Sequence, residues 1–273
     1  MPAILGRPGS VSAPVVVPDR GEIVMTVRSV EVAPLRFPPL DLSPAQGLAL
    51  LARTLFNEGY DDHLSGHITY KQPDGTFLVN PWGLTWDEVC ASDVARMDAQ
   101  GNQLEGRWLI SPAIMLHVVL HQRRHDAGVV VHNHPRWGTI WADAKRVPPI
   151  YDQTGAMYSG EIAVYDEYDG PVNEVSNATG CVEALGSANA ALLANHGVLV
   201  IGDDIEQAYI RSMVLEWRCR QAWHVEALGG GEPMTDSAAQ RFGALVDSVE
   251  GAFDGFFEAM SRRVIRQDPS VLD

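Results

Sequence analysis

An apolar run, Val129-Val130-Val131, ends in His132-Asn133-His134-Pro135, two histidines separated by one residue. In an extended strand alternate side chains leave on the same face, so His132 and His134 project together while Asn133 points away. Two imidazoles on one face are half of a metal site. A third, His196, interrupts a second apolar run from Ala191 to Val200, within Asn195-His196-Gly197. Neutral imidazole suits zinc, iron, copper or nickel, and three protein ligands with an open fourth position describe a catalytic rather than a structural centre. Histidines that only form hydrogen bonds are the alternative reading. His117 and His121, four apart in a helical segment, also have chelating spacing, but no HExxH pattern accompanies them, so hydrogen bonding at the helix surface or between helices is expected. His125 and His224 sit in charged helical contexts and are expected to be exposed.

The elements that must position these groups are marked by caps and periodicity. A first helix opens at Ser43-Pro44, runs through the stripe Leu48, Leu51, Leu55 and stops at Gly59. Strands are predicted over 63–70 and 76–80, and a helix over 112–124 feeds the histidine strand 129–134. A helix over 137–145 follows, then strands over 161–165 and 191–201, the latter broken around His196. Asp203 and Asp204 cap the next helix, and Gly229-Gly230-Gly231 separates it from a final amphipathic helix over 238–264. Residues 1–40 hold seven of the 17 prolines without sustained periodicity, which reads as an extended N-terminal arm. Residues 41–230 form the principal domain, and 231–273 a C-terminal helix and tail. Helices and strands follow one another without regular βαβα alternation, which favours antiparallel pairing in a sheet covered by helices.

The 273 residues, 46% of them hydrophobic and 20% charged, suffice for a large core. A net charge of -15 argues against nucleic acid or an anionic membrane surface as partner, and a small-molecule substrate fits better. No apolar run is long enough to span a bilayer and no secretory signal opens the chain, so a cytoplasmic location is expected. Cys90, Cys181 and Cys219 are odd in number and lack CxxC spacing, which points to reduced thiols rather than disulfides or a cysteine zinc site.

The His132 and His134 pair, with His196 about sixty residues on, resembles the class II aldolase/adducin family. The likeness extends over 42–227 and includes His63-Leu64-Ser65-Gly66-His67-Ile68-Thr69, Phe77-Leu78-Val79-Asn80-Pro81-Trp82-Gly83, and Gln153 with Tyr165-Asp166-Glu167-Tyr168-Asp169-Gly170. Gln153 matches the adducin-like branch. The resemblance implies an α/β protein of three α/β/α layers, with a mostly antiparallel nine-stranded sheet between helices. It also implies a homotetramer with active sites at subunit interfaces and one divalent metal ion (Zn, Mn, Co or Fe) on His132, His134 and His196. Such a metal polarises substrate oxygens, because a carbanion beside a carbonyl is tolerable only when its charge moves onto an oxygen held by a Lewis acid.

Two departures redirect that expectation. Aligned through His117, fifteen residues before His132, the family's metal-site glutamate falls at Ala113, so the carboxylate is missing. Ser111-Pro112 stands where two serines hold a sugar phosphate, and Gly66-His67 where Gly-Asn would. Proline has no N–H to donate and histidine is a different donor from asparagine, so phosphate binding is disfavoured. The remaining acid/base candidates are His63, His67, Tyr151, Asp152, Gln153 and Glu161. His67, Asp152 and Gln153 are preferred as catalytic groups, and Arg136, Trp137 and Ser111 as substrate-binding groups. Trp82, Trp86, Trp137 and Trp141 are candidates for an aromatic pocket, with core packing as the alternative. The expected activity is a metal-dependent carbon–carbon lyase, a decarboxylase or retro-aldolase, acting on a small non-phosphorylated hydroxy/keto or hydroxyaromatic acid. A non-haem iron oxygenase of the same fold and an inactive adducin-like scaffold are the alternatives.

Overall fold

Ser43 starts the first helix by a capping box: its hydroxyl accepts the Gln46 N–H at 3.3 Å, and Gln46 Oε1 accepts the Ser43 N–H at 3.0 Å. Pro44 fills the first helical position, where its missing N–H costs nothing, and α1 runs Pro44–Asn57. The computed structural model describes residues 40–167, 175–248 and 255–273. The expected arm, but for Leu40, and Tyr168, Asp169 and Gly170 of the quoted motif lie outside these residues. The chain divides between Leu40 and Asp41.

Eight strands are formed among the described residues, one fewer than the nine expected. They are β1 His67–Lys71, β2 Phe77–Val79, β3 Ala95–Met97, β4 Gln103–Glu105, β5 Val129–Asn133, β6 Ile162–Tyr165, β7 Ala190–Leu193 and β8 Gly197–Gly202. Their order is β4-β3-β2-β1-β5-β8-β7-β6, and every pair is antiparallel except β6 with β7. All five residues of β5 are buried, as a central strand covered on both faces requires.

Alternation along the strands builds three layers. Val129, Val131, Leu192, Val198 and Val200 face Leu48, Leu51 and Leu55 of α1, Trp141 of α3 (Arg136–Asp143), Tyr209 and Leu215 of α5 (Ile205–Ala227), and Val264 of α7 (Phe256–Gln267). Val130, Ala191, Leu193, Leu199 and Ile201 face Leu116, Val119 and Leu120 of α2 (Met115–Arg123), and Ala178, Cys181 and Val182 of α4 (Val175–Leu185). No helix among the described residues is long and apolar enough to cross a membrane.

Three expectations are revised. The strand predicted from residue 63 begins at His67, because residues 61–66 form a turn in which His63 has φ 49° and Gly66 φ +91°. The run 191–201 is a hairpin of two strands, reversed at 194–196 with Asn195 at φ 56°. In place of one helix over 238–264 there are two, α6 (Asp236–Ser248) and α7, with 249–254 outside the described residues.

Candidate metal centre

Strand β5 delivers His132 to the middle of the sheet, paired with His67 on β1 and Leu199 on β8. His134 follows just beyond the strand end, and the β7–β8 turn brings His196 alongside. Ligand atoms of the three histidines lie within 4.8 Å of one another. Ring centroids are 4.6 Å apart for His132 and His196, 4.9 Å for His134 and His196, and 5.1 Å for His132 and His134. Gly197 permits this approach, since a Cβ there would sit 2.5 Å from both the Asn133 carbonyl oxygen and His134 Cδ2.

The ring nitrogens are sorted for metal binding. His132 Nδ1 lies 2.8 Å from the Val198 carbonyl oxygen, which can only accept, so Nδ1 carries the proton and Nε2 the lone pair. His134 Nδ1 lies 2.8 Å from Asp62 Oδ2, the carboxylate–histidine pairing that orients metal-ligating imidazoles. His134 Nε2 is buried with no hydrogen-bond partner, a costly state for a polar atom unless a ligand completes it. Burial, reinforced by the neighbouring histidines, holds His132 well below the usual imidazole range, and burial with His134 brings His196 down to about 4. Neutral imidazoles result at neutral pH, the form a divalent cation requires. The donor set fits such an ion.

Two carboxylates that sequence reasoning missed brace the centre. Asp62 also meets His63 Nδ1 at 3.0 Å, and its turn is pressed against β5: a Cβ at Gly66 would lie 2.3 Å from Asn133 Nδ2. Asn133, on the opposite side of the strand from the ligands, donates to the Ser65 carbonyl at 3.2 Å and accepts the His134 N–H at 2.7 Å. Glu216 of α5 accepts the Trp137 N–H at 2.9 Å and the Gly138 N–H at 2.8 Å, capping α3 immediately after Pro135. Burial pushes its carboxyl up to about 7, against the lowering effect of those two amides. The Asp61-Asp62 pair after the Gly59 stop was the available signal for the first; Glu216, on another helix, had none.

The other candidates are distributed as follows. His67 is buried, with its ring centroid 4.9 Å from that of His132 and its Nδ1 2.9 Å from His117 Nε2. His117 and His121 bond to strand β1 rather than to solvent or another helix, both meeting Thr69 Oγ1. His63, His125 and His224 are exposed. Asp152 receives the Gly155 N–H at 2.7 Å and Trp217 Nε1 at 3.1 Å; Gln153 and Glu161 are exposed and Tyr151 half-buried. Arg136 and Trp137 line a cavity of about 390 Å³ with Glu58, Asp61, Glu216 and Arg220. Ser111 Oγ accepts the Ala113 N–H at 3.2 Å in the turn before α2. Trp86 stacks on Tyr60 and Trp141 Nε1 donates to the Cys219 carbonyl, so both belong to the core, whereas Trp82 is 45% exposed.

A three-layer α/β fold with convergent histidines at the end of its central strand defines a protein built around a candidate metal centre. The chain belongs to the class II aldolase and adducin family: the model described as Class II Aldolase and Adducin N-terminal domain matches residues 46–223. A protein of Pseudomonas aeruginosa named for the class 2 aldolases is 30% identical over 209 residues, 75% of this chain and 79% of that one. The 4-hydroxy-3-prenylphenylpyruvate oxygenase/4-hydroxy-3-prenylbenzoate synthase of Streptomyces roseochromogenus is 27% identical, covering 73% and 74%. Decarboxylase NovR of Streptomyces niveus is 26% identical, covering 82% and 84%. Among solved structures, an aldolase II superfamily protein from Pseudomonas syringae superposes with a TM-score of 0.76 at 26% identity, covering 87% of this chain and 98% of that one. With aldolases, decarboxylases and epimerases among its relatives, the protein is an enzyme.

Proposed function

We propose that the protein is a metal-dependent carbon–carbon lyase, a decarboxylase or retro-aldolase, acting on a small non-phosphorylated hydroxy/keto or hydroxyaromatic acid. The observation that carries this reading is a buried imidazole, His67, beside the three-histidine cluster, in a chain with Ala113 at the family's glutamate position. His132, His134 and His196 would hold one divalent ion, Zn, Mn, Co or Fe. When bound, that ion supplies a Lewis acid that draws charge onto substrate oxygens.

His67 would accept a proton at Nε2, since its Nδ1 is engaged with His117. Ser111 is followed by Pro112, which offers no backbone donor, so the turn before α2 suits a hydroxyl or carboxylate better than a phosphate. Arg136 and Trp137, two and three residues beyond His134, are assigned to the substrate's carboxylate and apolar body. Asp152 and Gln153, on a partly exposed turn, are assigned to active sites completed across subunits of a homotetramer. The oxygenase name of one relative favours a second reading, oxygen chemistry at the same centre.

Protein loaded with zinc, manganese, cobalt or ferrous iron is assayed against hydroxyaromatic and hydroxy-keto acids, with carbon dioxide, carbonyl product and oxygen followed together. Anaerobic turnover that is lost in His132→Ala and in His67→Gln is expected. Oxygen uptake stoichiometric with product would establish the second reading, and unchanged turnover in His132→Ala would overturn the site.

A further inference from the structure

Four side chains, of which only His67 has a catalytic assignment, join in a single line beneath the candidate centre. His121 Nδ1 lies 3.1 Å from the Ala127 carbonyl oxygen, His121 Nε2 2.7 Å from Thr69 Oγ1, Thr69 Oγ1 2.8 Å from His117 Nδ1, and His117 Nε2 2.9 Å from His67 Nδ1. Every member is buried: Thr69 and His117 are fully enclosed, His67 is 4% exposed and His121 6%. The line runs between β1 and α2 on one face of the sheet.

Its polarity has one solution. A carbonyl oxygen only accepts, so His121 must donate from Nδ1. A neutral imidazole has one N–H, which leaves His121 Nε2 as an acceptor, and Thr69 must turn its O–H toward it. The Thr69 oxygen can then only accept from His117 Nδ1, so His117 Nε2 is bare and His67 must donate from Nδ1. Burial supports the neutral forms, holding His121 at about 4 and His117 well below its ordinary range. The reverse polarity would set the bare nitrogen of His121 against the lone pairs of Ala127.

We propose that Thr69, His117 and His121 are positioning residues that lock His67 in its Nδ1–H tautomer, leaving Nε2 as its one basic atom beside the three-histidine cluster. The line ends on a backbone carbonyl, which cannot take up a proton, so it fixes a tautomer and an orientation and does not carry protons to solvent. Its value to catalysis rests on the acid/base role given to His67 above, while the tautomer itself does not depend on any substrate. Buried polar networks of this kind are costly when half satisfied, which makes each link matter to the others.

The test is long-range ¹H–¹⁵N correlation on histidine-labelled, zinc-loaded full-length protein at neutral pH, with resonances assigned by single His→Gln variants. His67, His117 and His121 are each expected to show a protonated Nδ1 and an unprotonated Nε2. Thr69→Val, which removes the hydroxyl link, is expected to move His67 and His117 to mixed tautomers, and Thr69→Ser to restore the original pattern. A protonated Nε2 on His67 in the unaltered protein would overturn the proposal without recourse to any variant, as would a His67 spectrum unchanged by Thr69→Val. If the tautomers are as expected but His67→Gln turns over normally, the lock stands and the catalytic role of His67 falls.

Discussion

Asp62 offers the sharpest test of the centre, because it touches a ligand without being one. Its Oδ2 lies 2.8 Å from His134 Nδ1, and the two side chains are 32% and 26% exposed. Burial raises the Asp62 carboxyl, but hydrogen bonds from His63 and His134 outweigh it and leave the group below the usual range. A hydrogen bond to a charged partner contributes about 1.5–3 kcal/mol in general, and partial exposure puts this one in the lower half of that range. Replacing Asp62 by alanine is therefore expected to weaken zinc binding by about 10- to 100-fold, the usual effect of losing such a partner. Asp62→Asn keeps an acceptor without the charge and falls between alanine and the unaltered protein. Affinity is read by competition with a chromophoric chelator at fixed pH, with His63→Ala as control, since that side chain is 93% exposed and meets the other carboxylate oxygen. Equal zinc affinity in Asp62→Ala and the unaltered protein would refute the claim that His134 is oriented through its second nitrogen.

Other outcomes follow from the same geometry. Gly197→Ala places a methyl 2.5 Å from His134 Cδ2, and is expected to lower zinc affinity while circular dichroism stays near that of the unaltered protein. Glu216→Ala strips one buried and one partly buried amide of their acceptor, at a cost of about 2–4 kcal/mol measured by urea unfolding. In metal-free protein, stability is expected to fall as pH drops from 6.5 toward 4. The histidines that burial lowers are protonated first in the unfolded chain, so their contribution is complete above 6.5 and lost below it; His121 alone, lowered to about 4, accounts for about 3 kcal/mol. Glu216, raised to about 7, has the opposite slope between its unfolded value near 4.5 and 7, but five histidines outweigh one carboxyl. Urea titrations across pH 4.5–7.5 check this, and a flat profile would count against it. Zinc at about 100 times its Kd is expected to add about 2.7 kcal/mol, raising Tm by about 5–10 °C.

The histidine cluster of the candidate metal centre was legible in the sequence because its signal is local. His-Asn-His has the period of a strand, and Asn-His-Gly visibly breaks an apolar run, although that run reads as one interrupted strand and folds as a hairpin. The covered face of β5 and the Ser43 cap were readable for the same reason. The short edge strand β4 and its neighbour β3, three residues each, carry too little alternation to stand out. Helix α4 was missed as well, its sequence offering alanine, glycine and cysteine in place of a leucine stripe. His117 and His121 show the larger limit. Helical spacing placed them on one face of α2 but could not reveal that Thr69 of a distant strand lies between them, a fact of tertiary packing alone.

Strand β5 is hydrogen-bonded on both sides, to β1 and to β8, whereas Asp62 hangs from a turn outside the sheet. The candidate centre thus joins a strand paired on both sides to a turn, and local opening of that turn needs none of the sheet to break. An ion held by His132, His134 and His196 would lose only the Asp62 brace on His134 when that turn opens, while the strand and hairpin that carry the three histidines stay paired. The expected outcome is exchange of divalent ions without global unfolding, so that the metal carried would follow supply and ligand preference.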